Sequence, residues 1–538
     1  MPRVHRHDEG DVEQLQRVLS PRDDVLVAER RIDAGVDSGI DTGPGSEGLA
    51  EFEWAAGPFR RYHRAVSWAP AGGSERISID QEIRYSLAIP YWSRLYDLVV
   101  RRALSDGIPA GVRPWWSTPD RLSPQQSTMV AAVTLFNLVA GLLYGLLGQV
   151  LTFVAADLGD GSAGQQTTML AIVRVGVVIT VLAMLLADRR GRRRIALWSF
   201  VLAAALTLAT AASPTWWLFG ALQLVARNLA IAGLLCVDTI AIEELPAGSR
   251  AMVSGLGALA YGLGAGFIVM SLPLADLGPW GWRLTFVVAG LTLPMIWHAR
   301  RHLPESDRFV RVDAERRAAP APSAPAPAPA PVPAVGASPD LPTESRRING
   351  RRFVLVGAIF FLFNVFLAPA SQLQNDYLRT ERGFSGLTIT LFVVLTATPA
   401  GLGVLLGGRI ADLRGRRAAI VPGLLAYGLF NAIMFSVGGP PMWVASLLSS
   451  VLGALSVPAM GVIAPELFPT ARRGGVRGVI TAIAVVGSVG GLLLAGTMVD
   501  AGSYASAFTV LAVAPLAAAA LALALPETRG RELEDLNR

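Results

Sequence analysis

Lysine is absent from this sequence, and all 47 basic residues are arginine. With Ala, Gly and Pro abundant, that absence reads as a coding bias without function. The chain has one cysteine, Cys236, inside an apolar run, which excludes an intrachain disulfide and a cysteine-based metal site. Its five histidines lack metal-ligand spacing, and no G-x-S-x-G, phosphate-binding loop or dinucleotide fingerprint occurs. Hydrolysis, ATP use and redox chemistry are thus left without residues, so no enzyme activity, catalytic residue, metal or cofactor is expected. The opening MPRVHRHDEG has no apolar run behind it, which predicts no cleaved signal peptide. Charge is also scarce, at 16% of residues.

What is present is apolar side chain: 52% of residues are hydrophobic and mean hydropathy is +0.45. That is a membrane composition. A net charge of +6 and an isoelectric point near 9.9 would also suit a nucleic-acid binder, but the arginines sit in short clusters between apolar runs. Membrane topology accounts for that placement, and no nucleic-acid partner is expected.

Four regions follow. Residues 1–125 are a polar extension, 126–300 a first hydrophobic half, 301–352 a linker with an extended Ala/Pro stretch, and 353–538 a second half with a short tail. A membrane-crossing helix needs about 20 mainly apolar residues. Such runs begin near Met129, Thr168, Ala196, Trp216, Met252 and Leu284, then near Phe353, Leu387, Ala419, Met442, Gly478 and Ala507. The fold class expected is therefore an all-α membrane protein of twelve transmembrane helices in two six-helix halves. Connections at 157–166, 271–281 and 500–506 carry no arginine, whereas the alternate ones carry Arg189 to Arg194, Arg250, Arg300, Arg301, Arg414 to Arg417, Arg472 and Arg473. The positive-inside rule then places both termini and the linker in the cytoplasm of a plasma-membrane protein, with Arg379 and Arg382 as exceptions on the outer side. Within the extension, Glu75 to Leu87 reads as a strand. Pro90 to Leu104 reads as an amphipathic helix, with Leu95, Leu98, Val99 and Arg102 on one face, suited either to headgroups or to a small solvated α/β module.

The halves repeat in motif as well as hydropathy. LADRRGRRR around Asp188 recurs as IADLRGRR around Asp412, 224 residues later. EELPAGSR from Glu243 recurs as ELFPTARR from Glu466 at 223 residues, and LPES from Leu303 recurs as LPET from Leu525 at 222. Three unrelated strings holding nearly one offset in one order indicate duplicated units.

On these strings the chain resembles the major facilitator superfamily across 128–530. The first copy is similar to that family's loop signature, with Met184 in place of its leading glycine. Gly408 supplies that glycine in the second copy, where Leu413 replaces a basic residue. The paired E-x-x-P-x-x-x-R strings, GWR at Gly281–Arg283, and the PES and PET strings resemble the sugar-porter and metabolite-symporter branch. The resemblance implies a secondary active or facilitative transporter of a small organic solute working by alternating access, a drug or metabolite exporter of the same fold being one alternative. The long extension keeps open another, a non-transporting membrane solute sensor. A monomer in the lipid bilayer is expected, with the solute and protons as partners.

The repeated charges suggest a cytoplasmic gate that clamps the halves and breaks on opening: Asp188, Arg192, Arg193, Glu243, Arg250, Glu305 and Arg308 in the first half, and Asp412, Arg416, Glu466, Arg473 and Glu527 in the second. The competing reading is that these loops only retain orientation. Arg227, near the middle of the fourth run, is the candidate anion-binding group, because an arginine at that depth is costly unless it faces the interior. Asn137 and Tyr144 on the first run, with Asn364 and Gln372 on the seventh, are further solute-contact candidates that single polar residues in helix packing would equally explain. Aromatic lining by Tyr144, Phe360, Phe361 and Phe363 favours an organic acid with an apolar body over a sugar. No carboxylate lies at mid-depth in the first run, so the sequence leaves ion coupling open.

Overall fold

A computed structural model describes residues 2–32, 46–71, 76–108, 114, 116–118, 120–246, 249–305, 349–468 and 473–527. The Ala/Pro linker and Arg308 lie outside the described residues, as do the side chains of Asp188, Arg250, Asp412, Glu466 and Arg473.

The extension holds more strand than its polarity suggests. β1 (Arg3–Gly10), β2 (Ala28–Arg31), β3 (Gly48–Ala56), β4 (Phe59–Pro70) and β5 (Ile77–Leu87) form an antiparallel sheet in the order β1-β5-β4-β3-β2. Side chains alternate between faces. Val66, Trp68, Ile77 and Ile79 pack under α1 (Val12–Leu19), while Tyr62, Ile83 and Tyr85 pack under α2 (Ser93–Asp106). His5, His7, His63, Asp80 and Arg84 occupy the opposite face, which is why only β5 reads clearly as a strand. A buried Arg64–Glu29 pair sits among the core residues. Glu29 accepts hydrogen bonds from Tyr62 and Arg64, and Arg64 also donates to the carbonyls of Val18 and Ser20, so the pair is satisfied as burial requires.

Eleven helices among the described residues are long and apolar enough to cross a membrane, which with the folded halves makes a multi-pass, mainly helical membrane body. The first, α3 (Pro124–Leu158), opens with a capping box between Ser123 and Gln126 and with Pro124 at its first turn. The others in the first half are α4 (Ala163–Val175) continuing into α5 (Val177–Arg190), α6 (Arg192–Thr210), α7 (Trp216–Glu244) and α8 (Arg250–Ser271). The expected sixth run appears as two short helices, α9 (Gly281–Ala289) and α10 (Thr292–Ala299), neither long enough alone. The second half contains α11 (Gly350–Gln372), α12 (Gln374–Thr380), α13 (Gly386–Ala397), α14 (Ala400–Arg414), α15 (Arg416–Ser436), α16 (Pro440–Gly453), α17 (Ser456–Leu467), α18 (Arg473–Ala501), α19 (Tyr504–Leu511) and α20 (Val513–Ala522).

The halves repeat in packing. A Cβ on Gly264 would lie 1.9 Å from the carbonyl oxygen of Leu138, and one on Gly487 would lie 2.5 Å from that of Phe361. Glycine thus sets the close approach of α8 to α3 and of α18 to α11. Small residues serve helix contacts this way in lipid, where no hydrophobic force drives helices together.

The extension docks on the first half. Trp92 Nε1 donates to the carbonyl of Ala131 at 3.2 Å, Thr128 donates to Ala88, and Ser249 links to Asp120. Tyr91, held at φ 69°, places its hydroxyl 2.6 Å from His302 Nδ1. Burial first, then Arg60, His298 and Arg301, hold the His302 pKa below its ordinary value.

Candidate functional site

In the interior of the first half, four helices bring polar groups together. Arg227 on α7 is 4% exposed, and its guanidinium stacks 3.8 Å from the ring centre of Tyr144 on α3. Tyr144 in turn lies 6.2 Å from Tyr261 on α8, centre to centre. Arg174 on α4 is half-buried and interacts electrostatically with both Tyr144 and Arg227. Arg227 Nη1 and Arg174 Nε are buried without a hydrogen-bond partner among the described residues. Two guanidiniums and a phenol therefore share one region with donors to spare, which is chemistry suited to an anion. The local fold holds them there: Asn228, beside Arg227, donates to the carbonyl of Val173 at 3.0 Å, and its carbonyl accepts from Thr180. These bonds bracket the break at Gly176 between α4 and α5, next to Arg174.

Arg174 escaped the sequence reading. It lies in AIVRVGVV, a run whose mean hydropathy tolerates one charge, and only the facing helices reveal its company.

The other candidates sit elsewhere. Asn137 donates to its own helix at Val133 and, at 3.0 Å, to Asp238 on α7, which is half-buried. Asn364 donates to Phe360 and accepts from Ser488 at 3.4 Å. Gln372 lies against Gly148, where a Cβ would come 2.4 Å from its Oε1, and that oxygen is buried without a partner among the described residues. Phe360 and Phe363 pack on the core of the second half. The structure thus groups Tyr144 with Arg227 and places Asn137, Asn364 and Gln372 in separate contacts.

At the arginine-rich end, the described charges join elements of the same half. Arg192 pairs with Glu243. Glu305 accepts from the backbone amides of Arg192 and Arg193 at 2.9 and 3.1 Å, while Arg193 bonds the carbonyls of Leu303 and Arg300. Glu527 accepts from the amides of Arg416 and Arg417 at 2.8 and 3.4 Å. The repeated carboxylate is thus a helix N-terminal cap after Gly191 and Gly415, whose φ values of 97° and 105° make the preceding turns. These described contacts join elements within each half. The remaining gate candidates, Asp188, Arg250, Arg308, Asp412, Glu466 and Arg473, fall on residues or side chains outside the description.

The halves are joined at the opposite, arginine-poor end, chiefly by aspartates the sequence did not single out. Asp500 on α18 accepts from the amides of Ala163 and Gly164 at the start of α4, at 3.0 and 2.8 Å. Asp276, after α8, accepts from the amide of Gly386 at the start of α13 and pairs with Arg379 at 3.2 Å. Asp276 and Asp500 are 224 residues apart, the offset of the loop motifs. Between them, buried Asp376 accepts from Gln166 at 2.9 Å and from Tyr504, and Asn375 donates to Gln149 at 2.8 Å. Arg379 and Arg382, exceptions to the arginine asymmetry, are both engaged here: Arg379 with Asp276 and the ring of Phe153, Arg382 with Tyr377 and the carbonyl of Val437.

The halves repeat in packing around a polar interior, and the known proteins similar to this chain are membrane transporters, not enzymes. The second half of the chain is similar to the major facilitator superfamily. A model described as Major Facilitator Superfamily matches residues 353–537. The glucose transporter GlcP of Staphylococcus epidermidis is 24% identical over 434 residues, covering 75% of this chain and 96% of that protein. The cis,cis-muconate transport protein of Acinetobacter baylyi is 28% identical over 334 residues, covering 61% of this chain and 76% of that one. The fold also matches the inward-open conformation of the xylose transporter XylE from E. coli, with TM-score 0.60 and 15% identity over 76% of this chain and 99% of that one.

Proposed function

We propose that this transporter carries a small organic anion by alternating access, coupled to protons, with Arg227 and Arg174 as the anion-binding groups. The observation that carries the reading is two guanidiniums beside Tyr144, buried Arg227 and half-buried Arg174, each with one buried nitrogen that has no hydrogen-bond partner among the described residues. An acidic side chain would neutralise such a pair in a purely structural role. The muconate relative, whose named solute is a dicarboxylate, supports an anion; the glucose relative supports the rival reading of a neutral sugar. Coupling is assigned to Asp238, a half-buried carboxylate whose bond to Asn137 joins α7 to α3.

In this reading α9 and α10 together make the sixth of twelve crossings, and the arginine-rich end faces the cytoplasm of the plasma membrane. The structure then represents the state closed outside, with Asp276, Asp376 and Asp500 as the outer gate. The conserved offset between Asp276 and Asp500 supports treating them as one device repeated in both halves.

Uptake into proteoliposomes is the direct test. Muconate and similar carboxylates should accumulate, driven by an imposed proton gradient, and Asp238→Asn should retain exchange of solute while losing the response to the gradient. Uptake of glucose or xylose with no anion transported would replace the anionic reading with the sugar one. Orientation has its own measurement: in a Cys236→Ser, Ser323→Cys protein, an impermeant thiol reagent should label only after cells are permeabilised. Labelling of intact cells would invert the topology.

A further inference from the structure

Between the β-sheet module and the first half lies an apolar cavity of about 310 Å³, apart from the Arg227 cluster. Leu95, Tyr96 and Val100 of α2 line it from the module. Val130, Ala131 and Thr134 come from α3, and Leu256, Leu259, Ala260 and Leu263 from α8. Most of its polar groups are engaged elsewhere: Thr134 donates to carbonyls of its own helix, Trp92 Nε1 to Ala131, and Ser117, Thr118 and Ser127 to nearby carbonyls, which leaves the Tyr96 hydroxyl. A water molecule here would lack the two to four polar partners it needs, so the occupant is apolar.

The cavity is continuous with the surface that faces lipid. Leu259 and Leu263 are 67% and 58% exposed on a membrane-crossing helix. The apolar span begins at Met252, and Leu263 lies about 16 Å along the helix from it, well inside a hydrocarbon layer of roughly 30 Å. On the module side, Leu95 and Leu98 are 64% and 73% exposed, a placement that water disfavours and acyl chains favour. The same helix carries exposed Arg94, Arg101 and Arg102, while its Asp97 is committed to the hydroxyl of Tyr85. Apolar depth below and exposed arginines on the same helix, Arg102 on the face of Leu95, match the two halves of an anionic phospholipid.

We propose that this cavity is a lipid site, in which an acyl chain of an anionic bilayer phospholipid fills the gap between α2, α3 and α8 and its headgroup meets the arginines of α2. The site joins the module to the transporter through a molecule of the membrane.

The test uses the full chain in phosphatidylcholine vesicles containing a small fraction of phosphatidylglycerol with a photoactivatable acyl chain. After irradiation, adducts mapped by mass spectrometry should concentrate on 95–100 and 256–263, several-fold above the exposed stretch around Leu429 and Val444 of the second half. Ala260→Trp should remove the cavity adducts alone. Arg94→Gln, Arg101→Gln and Arg102→Gln together, all at exposed positions where folding is not at stake, should bring the phosphatidylglycerol probe down to the labelling given by a phosphatidylcholine probe. Cavity labelling no greater than on the second half, or equal labelling of the unaltered protein by the two probes, overturns the proposal.

Discussion

Replacing Arg227 with glutamine is expected to lower anion uptake by about 30-fold, with insertion and folding retained. Hydrogen bonds to a charged group contribute about 1.5–3 kcal/mol each, and a loss of about 2 kcal/mol corresponds to that factor. Glutamine keeps a polar, hydrogen-bonding tip over the Tyr144 ring and removes the charge, so the change reports charge recognition more than packing. Arg174→Gln should act in the same direction. Because both guanidiniums neighbour Tyr144, the double variant should lose less than the product of the single losses. The measurement is initial uptake in proteoliposomes together with thermal stabilisation of the purified protein by muconate. If muconate stabilises the variant as well as it does the original, Arg227 is a structural residue and the anion site lies elsewhere.

The sequence displayed some of this site and concealed the rest for identifiable reasons. Arg227 stood out because it sits in a long apolar run at a depth where charge is costly, and Tyr144 because it shares a helix face with Asn137. Arg174 did not, since nothing in its own run marks it; its meaning lies in the facing α3 and α7. The loop repeats were legible as strings, so the halves and their duplication followed from text alone. Their chemistry was not, because Glu305 and Glu527 act on backbone amides of Arg192, Arg193, Arg416 and Arg417, and an amide carries no signature in a sequence. The outer aspartates were hidden for the same reason. Asp276 and Asp500 are single acids in short connections, ordinary until the amides opposite them are known. The sheet of the extension was obscured by polar residues on its outer face, where His5, His7 and Arg84 interrupt any apolar count.

The arrangement also separates two tasks. At the arginine-rich end, Glu305 and Glu527 join helices of the same half, which in the proposed alternating-access reading lets each half move as a unit. At the other end, aspartates cross from one half to the other, and in the proposed orientation those bonds must break for the outer side to open. A transporter needs stiff halves and a breakable seam, and the same residue chemistry supplies both by a change of partner.

That division makes the outer aspartates the most direct handle on the conformational equilibrium. Asp500 holds two amides at the first turn of α4, and Asp276 holds one at the first turn of α13 together with Arg379. A carboxylate at a helix N-terminus is favourable by about 0.3–1 kcal/mol at exposed sites and about 2 kcal/mol in partly buried geometry. Asparagine preserves size and one acceptor oxygen and removes that charge. Asp500→Asn and Asp276→Asn should each weaken the seam by about 1–2 kcal/mol, shifting the population toward the outward-open state by roughly 5- to 30-fold. The two sites share no partner, so the double variant should approach the product of the single shifts. Thiol labelling reads the shift: with Cys236→Ser and a cysteine in place of Gln149, the seam partner of Asn375, in every protein compared, an impermeant reagent added outside should react faster in each aspartate variant and fastest in the double. Bound muconate should still stabilise all three, because the anion site lies away from the seam. Unchanged labelling in the double variant would mean that these bonds do not hold the outer side shut, and the gate would then rest on the Asp376, Gln166 and Tyr504 contacts alone.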